Sequence, residues 1–167
     1  MSLKVAINIT KGWPNPYIVE DSLHSAVALA QGDVVTINAS RQWAKGATAT
    51  GSAYIIMVDS TDPTTGRAAL DPSYIQVPYG AIHGISLRNA LEIEVSNYSL
   101  LLDDGITAAN LKVGSVLSAP EGKIKIAEVG EIVIGTVVKV PYNLGGTNYL
   151  TFIPEDNKRI APVLVNT

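Results

Sequence analysis

Apolar residues alternate with polar or small residues in several short stretches of the chain, and turn-forming residues separate these stretches. An alternation with a period of two predicts β-strands that bury one face. Segments that contain Gly, Pro, Asn or Asp recur about every 8–15 residues between them and predict turns. We therefore expect about ten short strands, which is typical of an all-β domain. The stretches with this pattern are residues 3–9, 32–38, 51–61, 74–87, 90–106, 145–154 and two or three strands within 111–140.

One segment is ambiguous between helix and strand. Residues 21–31 allow a short helix, with Asp21 or Ser22 as the N-cap and Gly32 as a stop signal, but residues 25–30 could equally be extended. No other segment has a sustained helical period, and a parallel α/β sheet would need repeated crossover helices. The prediction is thus a compact β-barrel or β-sandwich with extended terminal arms and at most one short helix.

The length of 167 residues fits one ordinary domain. Pro14 and Pro16 favour extended backbone near the N-terminus. We therefore divide the chain into an extended arm over 1–20, a single β domain over 21–154 and a tail over 155–167.

A weak internal repeat runs through the sequence. LAQGDVVTI (29–37) and LKVGSVLSA (111–119) share an apolar residue, a glycine three positions later, a small polar residue and two aliphatics. Each is followed by a piece with a mid-strand glycine, AIHGISLRN (81–89) and VIGTVVKVP (133–141). Glycine inside a strand usually marks a bulge, a bend or a close backbone approach. Either the halves are related, or glycine and valine recur by chance in a β protein.

The composition limits the classes of partner. Charged residues make up 16% of the chain, whereas about 25% is typical of soluble proteins. This indicates either a rigid β protein with an uncharged surface or a surface that partners cover. The net charge of −3 with scattered basic residues does not favour nucleic-acid binding. The chain has no cysteine, no apolar core of a signal peptide and no run long enough to span a membrane, so we expect a soluble protein made in a cytoplasm.

The sequence contains no strong catalytic or metal-binding motif. Its two histidines, His24 and His83, lack metal-ligand spacing, and His83 is expected to be a structural residue. Glu92 and Glu94 share a strand face, as a glycosidase pair could, but two carboxylates on a solvated face are commonplace. Aspartates in DSTDPTTG (59–66) fit turn chemistry better than a calcium loop. We therefore expect no catalytic residue, no cofactor and no metal.

The chain resembles the small β-rich head-decoration, or capsid-cement, proteins of tailed bacteriophages. The residues that carry the resemblance lie at 29–38, with Gly-Asp-Val-Val, and at 111–140, with its Ile-Gly-Thr-Val strand. Ser115 stands where the family form has aspartate after the glycine. The resemblance implies a structural virion protein on the capsid exterior, often a homotrimer, that clamps neighbouring major capsid subunits.

Under this hypothesis the core of residues 111–140 is a scaffold that positions contact segments, with no active site. We expect the arm around Trp13–Tyr17, the 61–73 loop and the 155–167 tail to contact the shell. Deletion of residues 1–17 should leave a folded core that no longer binds the shell. The candidate contact residues are Trp13, Pro14, Pro16, Tyr17, Asp62, Pro63, Arg67 and Arg159.

Two other functions stay open. The first alternative is a carbohydrate- or receptor-binding β module of a phage tail or a cell surface, which would need exposed aromatic residues along a groove. The two tryptophans, Trp13 and Trp43, are far apart in sequence. The second alternative is a small β-barrel hydrolase, for which His83 would be the residue to test.

Overall fold

The computed structural model describes residues 7–11, 20–25, 27–30, 32–56, 82–88, 92–95, 111–144 and 147–162. Within these ranges the chain is all-β, with eleven strands and no helix, as predicted for the fold class. Of the strand predicted over residues 3–9, the described part, residues 7–9, lies within an observed strand, and residues 3–6 lie outside the described residues. The helix considered for residues 21–31 is not formed in the described part, where residues 20–23 are a strand paired with a neighbour. Strand pairing outweighs the weak local helix signal there.

Five antiparallel strands form the first sheet, called here the N-sheet, in the spatial order β2-β6-β5-β3-β4. Its edge strands are β2 and β4. The strands are β2 (Glu20–Leu23), β3 (Val34–Ile37), β4 (Trp43–Lys45), β5 (Ala53–Ile56) and β6 (Ile82–Ser86).

Six antiparallel strands form the second sheet, called here the C-sheet, in the order β1-β7-β11-β10-β8-β9. Its first strand comes from the N-terminal segment that the sequence assigned to an arm. The strands are β1 (Ile7–Lys11), β7 (Glu92–Val95), β8 (Val116–Ser118), β9 (Lys125–Ile126), β10 (Val133–Leu144) and β11 (Thr147–Pro154).

The two sheets pack on each other as in a β-sandwich and do not close into a barrel. Alternate residues of both sheets enter one buried cluster, with Val34 and Ile55 from the N-sheet and Leu117 and Phe152 from the C-sheet. The opposite face of the N-sheet carries a second buried cluster around Trp43. The N-sheet is therefore buried on both faces at its centre.

The two sheets have the same topology. When β2 to β6 are matched in chain order with β7 to β11, the order β2-β6-β5-β3-β4 becomes β7-β11-β10-β8-β9, which is the order found. The strand without a counterpart is β1, which is added to the outer edge of β7. The described chain is thus two copies of one five-stranded unit plus one strand.

Main-chain hydrogen bonds repeat at the start of each Gly-led strand. The N–H of Asp33 donates to the Ala30 carbonyl (3.1 Å), as the N–H of Ser115 donates to the Lys112 carbonyl (2.9 Å). In the reverse direction, the Asp33 carboxylate accepts the Ala30 N–H (2.9 Å) and the Ser115 hydroxyl oxygen accepts the Lys112 N–H (3.0 Å). The predicted match between 29–37 and 111–119 is therefore confirmed.

The glycine of each motif has the same conformation and partner strand. Gly32 (φ 85°) donates its N–H to the Ile56 carbonyl at 2.9 Å, and Gly114 (φ 92°) donates to the Val137 carbonyl at 2.8 Å. A positive φ favours glycine because other residues are strained there. These bonds make β5 the counterpart of β10.

The second predicted match, between 81–89 and 133–141, is wrong. By topology β6 corresponds to β11, and β10 corresponds to β5. The two glycines suggested a match because each packs against an aromatic ring. They lie on strands that do not correspond, however, since Gly84 is on β6 and Gly135 is on β10. In β6 a Cβ on Gly84 would lie 2.8 Å from the Trp43 ring, whereas in β10 a Cβ on Gly135 would lie 2.5 Å from the Phe152 ring.

The sheets are joined by main-chain bonds at one end. The N–H of Val34 donates to the Gly122 carbonyl (2.7 Å), and the N–H of Ala47 donates to the Ala119 carbonyl (3.0 Å). Between them Gly46 (φ 99°) lies so close that a Cβ would be 2.1 Å from the Pro120 carbonyl oxygen. This junction makes the two sheets one continuous body.

Candidate functional site

Of the eight predicted contact residues, the structure describes Arg159; Trp13, Pro14, Pro16, Tyr17, Asp62, Pro63 and Arg67 lie outside the described residues. Arg159 is exposed and forms a two-pronged ion pair with Glu155, at 3.2 and 2.7 Å. The Glu155 partner raises the pKa of Arg159. Arg159 therefore lies on the surface, where it is accessible to a partner.

Residues 155–162, which the sequence assigned to the tail, run along the start of β10. The N–H of Val133 donates to the Arg159 carbonyl (2.8 Å), and the N–H of Ala161 donates to the Glu131 carbonyl (2.9 Å). A bridge also pairs Ile132 with Ile160. This part of the tail is built into the C-sheet.

A buried carboxylate ties the same segment to the N-sheet. The Asp156 side chain is 2% exposed. It accepts hydrogen bonds from the Ala53 N–H (3.2 Å), the Arg88 Nε (3.2 Å) and the Lys158 Nζ (2.6 Å). Lys158 also donates to the Gly51 carbonyl. A buried carboxylate is stable only when such partners compensate its charge. Because the partners Ala53 and Arg88 belong to the N-sheet side, this cluster, called here the Asp156 latch, links the two sheets.

In the described part of the chain, the β10–β11 hairpin continues past the residues of β7 and β8 that pair with it. The pairing of β8 with β10 ends at Thr136, and the pairing of β7 with β11 begins at Leu150. The part of the hairpin between these points, called here the ribbon, pairs only with itself among the described strands. On it, the rings of Tyr142 and Tyr149 stack with centroids 5.2 Å apart, and Tyr142 is 43% exposed.

The sequence-predicted carboxylate pair holds this ribbon. Glu92 pairs with Lys139 (3.2 Å), and Glu94 accepts the hydrogen bond of the Tyr142 hydroxyl (2.8 Å). The bond to Glu94 raises the pKa of Tyr142. Both carboxylates of β7 are therefore engaged by ribbon residues, and their positions fit a role in orienting the ribbon.

A second polar cluster joins β8, β9 and the turn before β10. The Glu131 carboxylate accepts bonds from the Ser118 hydroxyl (2.5 Å) and the Glu128 N–H (2.9 Å) and pairs with Lys125 (2.9 Å). Burial raises the pKa of Glu131, but these three partners outweigh it and the pKa is lowered. Burial lowers the pKa of Lys125, but Glu131 and Glu128 raise it to about 12. Each charge is stabilised by its neighbours, as in a structural ion network.

The histidine considered for catalysis and the tryptophan considered for sugar binding lie in strands of the N-sheet. His83 lies in β6 opposite Ser22. Among the described residues no group of three His, Asp or Glu side chains could hold a metal ion. Trp43, considered for a sugar-binding groove, is 1% exposed and donates its indole N–H to the Ile82 carbonyl (2.7 Å). It belongs to the core.

Sequence reasoning missed the ribbon and its tyrosines. The available signal was the symmetric spacing of two tyrosines about Gly-Gly in YNLGGTNY (142–149), which is typical of a hairpin with both rings on one face.

No family model, curated protein or solved structure matches this chain. Within the described ranges, no helix has the length and apolar character needed to cross a membrane.

Proposed function

We propose that the chain is a structural virion protein that binds the outer surface of a phage capsid and stabilises it by clamping neighbouring major capsid subunits. In this proposal it acts without a cofactor, resides on the virion exterior and self-associates as a homotrimer. The observation that carries the proposal is the Gly-led strand motif at 29–38 and 111–140, on which the resemblance rests. The same motif organises both five-stranded units.

The architecture suits a clamp. Main-chain bonds at the junction and the Asp156 latch join the two sheets. Capsid subunits bound to different sheets would therefore be connected through one domain. Binding to a lattice at many points raises effective concentration without a tight single contact. Surfaces poor in charge can be buried without the cost of removing ions from water.

The proposal is tested by adding the purified full chain to expanded shells of the major capsid protein and sedimenting them. We expect saturable binding at a fixed copy number and shells that withstand higher temperature before they open. Absence of the chain from the pelleted shells would reject the proposal. Light scattering of the free protein tests the trimer separately, and a clean monomer would reject preassembly.

A second candidate is a carbohydrate-binding module, and the Tyr142–Tyr149 stack favours it because an exposed aromatic face can pack against a ligand ring. A sugar that raises the melting temperature of the wild type but not of a Tyr142→Ala variant would support this candidate. A glycan array without any signal would count against it.

A further inference from the structure

The ribbon holds two phenol rings in contact. Tyr142 of β10 and Tyr149 of β11 lie directly opposite each other in the antiparallel pairing. Their rings stack with centroids 5.2 Å apart and planes inclined by 18°. Residues directly opposite each other in an antiparallel pair project from the same face of the sheet. The backbone of the hairpin therefore keeps the two rings side by side.

Tyr142 also has a proton acceptor at its hydroxyl. Its Oη donates a hydrogen bond to the Glu94 carboxylate at 2.8 Å. This bond raises the pKa of Tyr142, so the phenol carries its proton at neutral pH. A phenol that loses an electron becomes strongly acidic, and a carboxylate at hydrogen-bond distance accepts the proton as a general base. The contact with Glu94 therefore favours one-electron oxidation of Tyr142.

Accessibility distinguishes this pair from the aromatic contact in the core. Tyr142 is 43% exposed, and Tyr149 is half-buried. The rings of Trp43 and Tyr54 are also close, with centroids 5.1 Å apart, but these residues are only 1% and 7% exposed. An oxidant in solution thus meets the ribbon tyrosines directly, whereas the core pair is shielded by its surroundings.

We propose that Tyr142 and Tyr149 form an oxidative cross-linking site, at which an external one-electron oxidant joins the two rings and the Glu94 carboxylate accepts the proton of Tyr142. The product is a dityrosine bridge between β10 and β11. This inference goes beyond the proposed function and does not depend on it.

The reaction consumes two equivalents of the oxidant. Each equivalent takes one electron from a phenol, and the hydroxyl proton leaves with it, from Tyr142 to Glu94 and from Tyr149 to water. The two radicals then form one carbon–carbon bond between ring positions adjacent to the hydroxyl-bearing carbons. The hydrogens on the bonded carbons move through water to the phenol oxygens, which restores both aromatic rings. The sum is the loss of two electrons and two protons.

The hairpin favours coupling within one chain. Groups that a fold holds in a reactive arrangement behave as if their concentration were very high, because the encounter has already taken place. The bridge would fix the register Tyr142–Tyr149 and keep the two strands together during local opening. Its consequence is a ribbon that stays paired under conditions in which the unmodified strands separate.

The first test oxidises the purified full chain with light-generated tris-bipyridine ruthenium(III). We expect dityrosine fluorescence in the monomeric protein and a mass lower by two hydrogen atoms. Because the chain has seven tyrosines, peptide mapping by mass spectrometry must identify the bridge as 142–149.

Phenylalanine variants provide the controls for this test. Tyr142→Phe and Tyr149→Phe should each abolish the bridge, whereas Tyr54→Phe in the core should keep its yield. A dityrosine that forms only between different chains, or only at other tyrosines, would overturn the inference. An oxidised chain without any dityrosine would overturn it as well.

The second test measures the role of Glu94 by the rate at which the 142–149 bridge forms. Glu94→Gln should slow this rate about tenfold, because an amide does not accept the proton. Added phosphate, a base in solution, should restore part of the rate in the variant and leave the wild type unchanged. A ribbon that had merely shifted would not respond to the base in this way.

The matched control is Glu92→Gln, which removes the carboxylate that pairs with Lys139. This variant should form the bridge at the wild-type rate. Equal rates for Glu94→Gln and the wild type, or a loss in Glu94→Gln that phosphate does not restore, would overturn the role of Glu94 as the proton acceptor.

Hydrogen exchange tests the consequence for the ribbon. The amides of residues 142–144 and 147–149 should exchange about tenfold more slowly in the cross-linked chain than in the unmodified chain, because the bridge prevents separation of the strands. Unchanged exchange of these amides would refute the claim that the bridge holds the ribbon.

Discussion

The N-sheet and the C-sheet share a strand order and a set of main-chain hydrogen bonds, but they bury opposite faces of the shared pattern. Leu117 in β8 enters the core between the sheets, whereas its counterpart Val35 in β3 faces the second cluster around Trp43. Conversely, Val34 enters the core between the sheets, and its counterpart Val116 is half-buried on the other side. The two units therefore pack through non-equivalent faces, since the face of the N-sheet that carries Val34 meets the face of the C-sheet that carries Leu117.

This difference shows that backbone topology and side-chain size are separable. In the N-sheet a large residue on β5, Tyr54, is a diagonal neighbour of Gly84 on β6. In the C-sheet the small residue is on β10, Gly135, and the large one is Phe152 on β11. The large and the small residue have thus exchanged strands between the two units. This is possible because diagonal neighbours on one face of a sheet fill a common space, so that either can be the large one.

The largest expected effect tests the junction between the sheets. Gly46 donates its N–H to the Val34 carbonyl, as Ala127 does to the Val116 carbonyl. Gly46→Ala should destabilise the fold by about 3 to 5 kcal/mol, because a positive φ and a clash with the Pro120 oxygen add together. Denaturant unfolding measures this. The matched variant Ala127→Gly should destabilise the fold by only about 0.5 to 1 kcal/mol. Similar losses of stability in both variants would refute the idea that only the Gly46 position lacks room for a side chain.

A somewhat smaller effect tests the exchanged pair of large and small residues. Gly135→Ala should cost about 1 to 3 kcal/mol, because its Cβ would meet the Phe152 ring and the Ile153 carbonyl. Adding Phe152→Leu should cost less in this background than alone, with a coupling of about 1 kcal/mol in a double-mutant cycle. Strict additivity would show that the ring is not what excludes the methyl group.

The polar network of the C-sheet predicts a pH-dependent loss. Ser118→Ala should cost about 1.5 to 3 kcal/mol at neutral pH, since Ser118 donates to the charged Glu131. The folded pKa of Glu131 is lowered, so its contribution is present above the unfolded pKa and is lost as the pH falls through the folded pKa. The difference between variant and wild type should therefore shrink in acid. A constant difference across that range would contradict the assignment.

A buried hydroxyl in β11 predicts a change of the opposite sign. Thr151 is 1% exposed, and its Oγ1 has no hydrogen-bond partner among the residues that the structure describes. Thr151→Val should be neutral or stabilising by up to about 1 kcal/mol, because it removes an unsatisfied polar group and keeps the shape. Thermal unfolding measures it. A clear loss of stability would mean that the hydroxyl is bonded in solution.

The smallest expected effect exchanges equivalent residues between the units. Asp33→Ser should change stability by no more than about 1 kcal/mol, because Ser115 makes the same bond to the turn. Burial raises the pKa of Asp33, against the opposing effects of the Ala30 N–H, Lys45 and Lys123. Its favourable contribution is thus present below the unfolded pKa and is lost as the pH rises through the folded pKa.

The stability of the Asp33→Ser variant relative to wild type should accordingly increase as the pH rises from the unfolded to the folded pKa of Asp33. Urea unfolding at several pH values gives the comparison. A variant that instead loses stability toward neutral pH would show that the Asp33–Lys45 contact, at 4.0 Å, outweighs the burial of the carboxylate.

Strand existence could be read from the sequence because alternation depends only on neighbouring residues. The patterns at 32–38 and 111–140 predicted β3 and the three strands β8 to β10. β4 was missed because its three residues, Trp43–Lys45, are too short for a period to show. The helix option at 21–31 failed because the partner of β2 is β6, about sixty residues further along the chain.

The candidate site was less predictable than the fold. Arg159 could be chosen as an exposed basic residue, but nearby Glu155 donates its N–H to the Ile134 carbonyl of β10, and Asp156 accepts the Ala53 N–H of β5. Nothing local indicates that Asp156 meets Arg88, which is 68 residues away in sequence.

The sequence by itself determined the all-β class, the Gly-led turns and the match between 29–37 and 111–119, because these depend on local periodicity and on positive φ. Only the tertiary structure decided which strands pair, which face each unit buries and which edge β1 covers. Those choices depend on volumes and unpaired main-chain groups brought together from distant parts of the chain, and no local pattern encodes them.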